Sequence, residues 1–135
     1  MNHRIQLGMS RCVPACTQMI LNWFSKPEPS QRVLSAEMGT TLKGGTDMEA
    51  LKVTLSRRGI SAWYMPKESM SEGLAKGYVY IIGVTGWGLT FAPHVIAILG
   101  YKDGKFRVHD PCWVPEWVRS DKVLRRAEFA LRCGR

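Results

Sequence analysis

The stretch HVIAILGYKDGKFRVHDP, residues 94–111, is the most informative part of this 135-residue chain. From His94 to Tyr101 it is almost uninterruptedly apolar, the pattern of a strand buried on both faces. Lys102-Asp103-Gly104 reads as a tight turn, and Lys105 to His109 return as the second arm of a hairpin. One end of that hairpin then holds His94 and Asp110, an imidazole and a carboxylate that could orient it. Whether they face the same side depends on register. A two-residue Asp103-Gly104 turn makes paired residue numbers sum to 207 and puts His94 and Asp110 on opposite faces. A three-residue loop over 102–104, with Gly104 left-handed in a G1 bulge, makes the sum 206 and puts them on one face. A functional pair therefore predicts the bulged hairpin. His109 alternates with Asp110, so it is expected to point away, toward solvent.

Just upstream, TGWGLTFAP (residues 85–93) is a glycine-rich loop, and YVYIIGV (78–84) is another strand. Trp87, Gly88 and Phe91 in that loop suit a substrate wall, because glycine permits movement and exposed aromatics bind peptides. Burial of Trp87 in the core is the competing expectation. The first half of the chain is helical. CVPACTQMILNWF (12–24) carries Cys16, Met19, Ile20, Trp23 and Phe24 on one stripe, and Pro14 belongs in a first turn. Ser30 caps a short helix through Met38 that Gly39 stops. Gly44-Gly45 is a turn, and Thr46 with Glu49 forms a capping box for a helix ending before Gly59. Ile60–Met65 is a short strand, and 67–76 a weak amphipathic helix closed by Gly77. Ser120 is expected to cap a last helix over Asp121–Arg132. The architecture predicted is α+β, a single domain over residues 1–135 with an N-terminal helical lobe on a small antiparallel sheet.

A hydrophobic content of 45% with 22% charged residues is ordinary for a globule and excludes a disordered tail or a fibre. The net charge of +8 is concentrated late: residues 119–135 hold six basic against two acidic side chains. A solvated helix face explains this, with an acidic partner as the functional reading; no nucleic-acid motif accompanies it, so nucleic acid is not expected. Gly77–Tyr101 lacks charged residues, yet its glycines and Pro93 suit two strands and a loop better than a membrane span. No secretory signal is evident, which points to the cytoplasm, delivery into another cell being left open. Four cysteines are too few for a disulfide scaffold. The x3 spacing of Cys12 and Cys16, with no second close pair, matches no structural zinc pattern.

Among those cysteines, Cys12 sits where a helix begins, and the orphan N–H groups and helix dipole favour a thiolate there. Cys16 falls on the apolar stripe and reads as a small core residue. Cys112 and Cys133 read as structural or semi-exposed thiols. A nucleophilic thiol needs a base and the base an orienting acceptor, for which His94 and Asp110 are placed. Gln6 lies six positions before Cys12. The order Gln, Cys, His, then Asp sixteen residues later resembles the papain-like cysteine peptidases. More narrowly, QLGMSRCVPACTQMIL, SQRVLSAEMGT, GGTDMEALKVTLSRRGI and HVIAILGYKDGKFRVHDP resemble the bacterial C39-like peptidases over about residues 6–130. Many members have Cys-Gly at the nucleophile, where this chain has Cys12-Val13-Pro14.

The resemblance implies a papain-like fold with Cys12 as nucleophile, His94 as base, Asp110 as orienter and Gln6 as oxyanion donor, acting on a peptide or isopeptide bond without metal or organic cofactor. The same thiol chemistry could deamidate or transamidate glutamine, and a non-catalytic peptidase-like binding module, with the basic C-terminal helix or the Trp87 loop as its contact surface, is the alternative from another class.

Overall fold

The computed structural model describes residues 12–41, 46–87 and 94–135. Five helices and six strands follow one another as α1 (Cys12–Trp23), α2 (Gln31–Met38), α3 (Met48–Ser56), β1 (Ser61–Met65), α4 (Met70–Ala75), β2 (Val79–Val84), β3 (His94–Lys102), β4 (Lys105–His109), β5 (Glu116–Arg119), α5 (Ser120–Arg126) and β6 (Ala127–Gly134). The strands form one antiparallel sheet in the order β1-β6-β2-β3-β4-β5.

Both faces of the sheet are covered. Val79, Ile81, Val95, Ala97, Leu99 and Leu131 pack with the buried faces of α1, α2 and α3. The alternate positions Tyr80, Ile82, Ile96, Ile98 and Val108 pack with Met70 of α4, Val123 of α5 and Trp87. Alternation by two along each strand sends neighbours into these separate cores. The α+β architecture and the helical layer on an antiparallel sheet are therefore as expected.

Local chemistry sets the helix ends. Ser30 accepts the N–H of Val33 at 3.2 Å, and Gly39 adopts the left-handed conformation (φ 68°) that ends α2. At α3 the cap lies one residue later than the sequence suggested. Asp47 accepts the N–H of Glu49 at 3.1 Å, while the Thr46 hydroxyl is engaged with that of Thr40. Gly44-Gly45 lies outside the described residues.

Two larger corrections concern the second half. The helix expected over Asp121–Arg132 stops at Arg126, and the chain continues as β6, which runs between β1 and β2. The sheet thus has six strands, with β5 a further strand that the sequence reading left out. The basic C-terminal segment is accordingly part helix and part strand. Arg132 lies over the rings of Tyr78 and Tyr80 and donates from Nε to the Tyr80 hydroxyl at 2.8 Å.

That phenol makes Gly73 of α4 hard to replace. A Cβ at Gly73 would overlap the Tyr80 hydroxyl, and Tyr80 is fully buried. Alanine recovers about 1 kcal/mol of helix propensity, but overpacking of this kind costs about 1–3 kcal/mol. Gly73→Ala is expected to lower stability by up to about 2 kcal/mol, read as a lower urea midpoint with an unchanged slope. A raised midpoint would show that Tyr80 can move aside.

Candidate active site

The hairpin reaches the required register by a different route from the one expected. Lys102 pairs with Lys105 and Tyr101 with Phe106, so the turn is the two-residue Asp103-Gly104 form, both residues left-handed (φ 53° and 74°). Farther along, a bulge at Leu99 shifts the pairing to Ile98–Val108 and Ala97–His109. Paired numbers sum to 207 near the turn and to 206 beyond the bulge. The extra residue has moved from the loop into β3, and the consequence for His94 and Asp110 is the same: they share a face.

The two meet in a short hydrogen bond, His94 Nε2 to Asp110 Oδ1 at 2.6 Å, with each residue only 6% exposed. The carboxylate is held from two further directions. The backbone N–H of Cys112 donates to Oδ1 at 2.8 Å, and the indole N–H of Trp87 also donates to Asp110. With Nε2 engaged, Nδ1 of His94 remains for the thiol of Cys12, which lies in hydrogen-bonding contact with the imidazole.

Cys12 arrives there because α1 begins at that residue and packs against β3. One turn on, Cys16 is fully buried and its thiol points at the Val95 carbonyl at 3.6 Å. Cys12, at the open first turn of the same helix, reaches the imidazole of His94 at the start of β3. As expected, Cys16 is a core residue.

Electrostatics in the pair follow from burial and partners. Burial alone would push the His94 imidazole down, but its hydrogen bonds to Asp110 and then Cys12 outweigh it and hold it up at about 9. Burial likewise opposes ionisation of Asp110, yet the bonds from His94 and the Cys112 N–H keep its carboxyl below the usual range.

A raised histidine stabilises the fold fully below its ordinary value near 6.5, and that contribution disappears as pH rises through about 9. The depressed Asp110 contributes above the ordinary carboxylate range and loses its contribution as pH falls. Both describe mainly one interaction, counted once; with the share of Cys12 and solvent screening allowed for, it is worth at most about 3 kcal/mol. The urea midpoint is thus expected to fall between about pH 6.5 and pH 9.5, and to fall much less in Asp110→Asn. Equal losses in the two proteins would exclude this ion pair as the cause.

Trp87 is buried and belongs to the core under the sheet, so it forms no exposed wall in this structure. The ammonium of Lys122 on α5 stands 5.0 Å from its ring, and the Thr85 N–H donates to the Arg126 carbonyl at 3.3 Å. The basic helix thereby braces the turn that aims Trp87 at Asp110. His109 does point away from Asp110, but it is buried rather than solvated. It lines a surface cavity of about 480 Å3 with Trp23, Leu99, Arg107 and Trp117.

Cys112 is the site residue that sequence reasoning missed. It is exposed, and its sulfur lies with a His94 nitrogen and an Asp110 oxygen in a group whose donor atoms are all within 4.8 Å of one another. Its place two residues after Asp110 was the available signal. Gln6, Gly88 and Phe91 lie outside the described residues. Among the described residues, no helix is long and apolar enough to cross a membrane.

Comparison with known structures defines the class of fold. The chain superposes on the peptidase domain of Streptococcus ComA, a bifunctional ABC transporter involved in quorum sensing, with a TM-score of 0.81 and 15% identity over 98% of this chain and 95% of that one. A double glycine motif protease from an AMS/PCAT transporter, in complex with a leader peptide, gives 0.78 and 15% over 98% and 88%. A C39-like peptidase from Bacillus anthracis gives 0.76 and 11% over 99% and 94%. The chain has the C39 peptidase fold. No protein-family model matches the sequence, and no curated protein does.

Proposed function

We propose that this protein is a cysteine peptidase that uses Cys12, His94 and Asp110 on a single C39-like domain. One observation carries the reading: a thiol at the start of a helix contacts an imidazole whose other nitrogen is bound at 2.6 Å by a buried carboxylate. That arrangement supplies a nucleophile, a proton carrier and an orienter in contact.

In the reaction the Cys12 sulfur attacks the scissile carbonyl carbon, its proton residing on His94. Negative charge develops on the carbonyl oxygen, for which the Cys12 N–H and the Gln6 side chain are the donors. The C–N bond then breaks as His94 gives its proton to the leaving amine, leaving a thioester on Cys12. Water, deprotonated by His94, attacks the thioester and releases the acid, and the proton returns to the Cys12–His94 pair. Asp110 stays ionised throughout and stabilises the imidazolium. Trp87 and the Cys112 N–H act as positioning groups on that carboxylate.

The leader peptide bound to one structural neighbour supports a peptide or protein substrate over a small amide. The test is incubation with a defined peptide library, followed by mass spectrometry for new N-termini and an assay for ammonia. New N-termini from the native protein and none from Cys12→Ala are expected. Ammonia without new N-termini would replace the peptidase with a deamidase. Neither product, together with an unreactive Cys12, would leave a non-catalytic binding module on a peptidase fold.

A further inference from the structure

Cys112 is a thiol that the peptidase chemistry does not use, yet the fold places it at the reacting pair. Pro111 and the bond from its own N–H to Asp110 Oδ1 fix its backbone beside the carboxylate. Its side chain is exposed, is in no disulfide, and its sulfur is within 4.8 Å of donor atoms on both His94 and Asp110. Sulfur, imidazole nitrogen and carboxylate oxygen are the three ligand types that zinc takes from proteins. Zinc bond lengths of about 2.0–2.3 Å put neighbouring donors about 3.3–3.8 Å apart around a tetrahedral ion. The sulfur therefore needs to move in by at most roughly 1 Å, which rotation of an exposed cysteine side chain can supply. His94 Nε2 and Asp110 Oδ1, 2.6 Å apart, need to open by roughly 0.7 Å as the ion replaces the proton between them.

We propose that His94, Asp110 and Cys112 form a three-ligand site for a thiophilic divalent cation, with Zn2+ as the reference ion. The ion takes the place of the proton that His94 and Asp110 share. Cys112 binds as the thiolate and releases its own proton, and water completes the coordination. A thiolate and an imidazole in the set select against Mg2+ and Ca2+, which favour all-oxygen sites. Cys12 is outside this ligand set, on the other nitrogen of the imidazole. The site thus differs from simple capture of metal by a reactive thiol and its histidine, and it stands whether or not the chain cleaves peptides. Where the peptidase reading holds, an ion here occupies the base and stops turnover until a chelator removes it.

The experiment is a titration of the reduced native protein with Zn2+ in competition with a chromophoric chelator, repeated for Cys112→Ser and Cys12→Ala. Iodoacetamide labelling of the native protein, with and without Zn2+, provides a second readout that needs no variant. One equivalent of Zn2+ is expected to bind and to protect Cys112 from alkylation. Cys12→Ala is expected to bind within a few-fold of the native protein. Cys112→Ser should weaken binding at least about tenfold, the scale on which even loss of an outer-shell partner acts. Binding lost in Cys12→Ala but kept in Cys112→Ser would overturn the site and place the ion on the nucleophile. No binding, or labelling of Cys112 unaffected by Zn2+, would overturn it outright. Labelling of Cys12 in metal-free protein tests the peptidase reading separately.

Discussion

Replacing Cys12 with alanine is expected to lower peptide turnover by about 10^6-fold, the scale seen when the nucleophile of a catalytic triad is removed. The size of the loss follows from the lack of a substitute. Cys16 is fully buried, and burial pushes its thiol well above the ordinary range; burial holds that of Cys133 up at about 12. Cys112 is the only other accessible thiol, and the contest between it and Cys12 can be read directly. Exposure favours Cys112, but burial of its sulfur, then the charges of Asp110 and Cys12, disfavour its thiolate. The Cys12 sulfur instead faces a His94 imidazole held at about 9, positively charged at pH 6, and the orphan N–H groups at the start of α1. Limiting iodoacetamide at pH 6 is therefore expected to label Cys12 first, although Cys112 is the more open. His94→Ala should remove that preference. Labelling of Cys112 ahead of Cys12 in native, metal-free protein would sink the assignment of the nucleophile.

What the sequence made legible were the local signals, and what it hid depended on distant partners. Ser30 with Gly39, and Pro14 in the first turn of α1, are chemical constraints satisfied within a few residues, so α1 and α2 could be read directly. The stretch after Ser120 could not. Val123, Leu124, Ala127, Ala130 and Leu131 recur at helical spacing, while Phe129, Leu131 and Cys133 alternate as in a strand. The ambiguity is resolved by pairing: Leu131 lies opposite Tyr64 on one side and Ile81 on the other, partners 67 and 50 residues away. The hairpin shows the same division. Asp103-Gly104 suits a two-residue turn, and the chemistry of the site demanded an extra residue somewhere in the hairpin. Nothing local to Leu99 marks it as that residue. Cys112 escaped notice for a related reason, since its closeness to His94 exists only once β3 and β4 are paired.

Asp110→Asn is expected to leave the protein folded and to reduce turnover by about 10^4-fold, the cost known for the equivalent change in a serine-protease triad. Asp110 receives N–H groups from His94, Cys112 and Trp87, and an ionised carboxylate, with two oxygens and no hydrogens, can accept all of them. An asparagine of the same shape has one accepting oxygen and a donating NH2. If its oxygen keeps the place of Oδ1, the bonds to His94 and Cys112 survive but the negative charge that stabilises the imidazolium is gone. If the amide turns over, its NH2 meets the donors from His94 and Cys112, and the ring is driven to the wrong tautomer. Either way His94 returns toward its ordinary value. The loss should therefore appear in kcat, with KM little changed, and alkylation of Cys12 at pH 6 should slow in parallel. Trp87→Phe removes one donor and keeps the charge, so it should cost far less than Asp110→Asn. Comparable losses in the two variants would mean that packing of the loop, rather than the charge on Asp110, maintains the pair. Turnover in Asp110→Asn within tenfold of native would remove Asp110 from the mechanism.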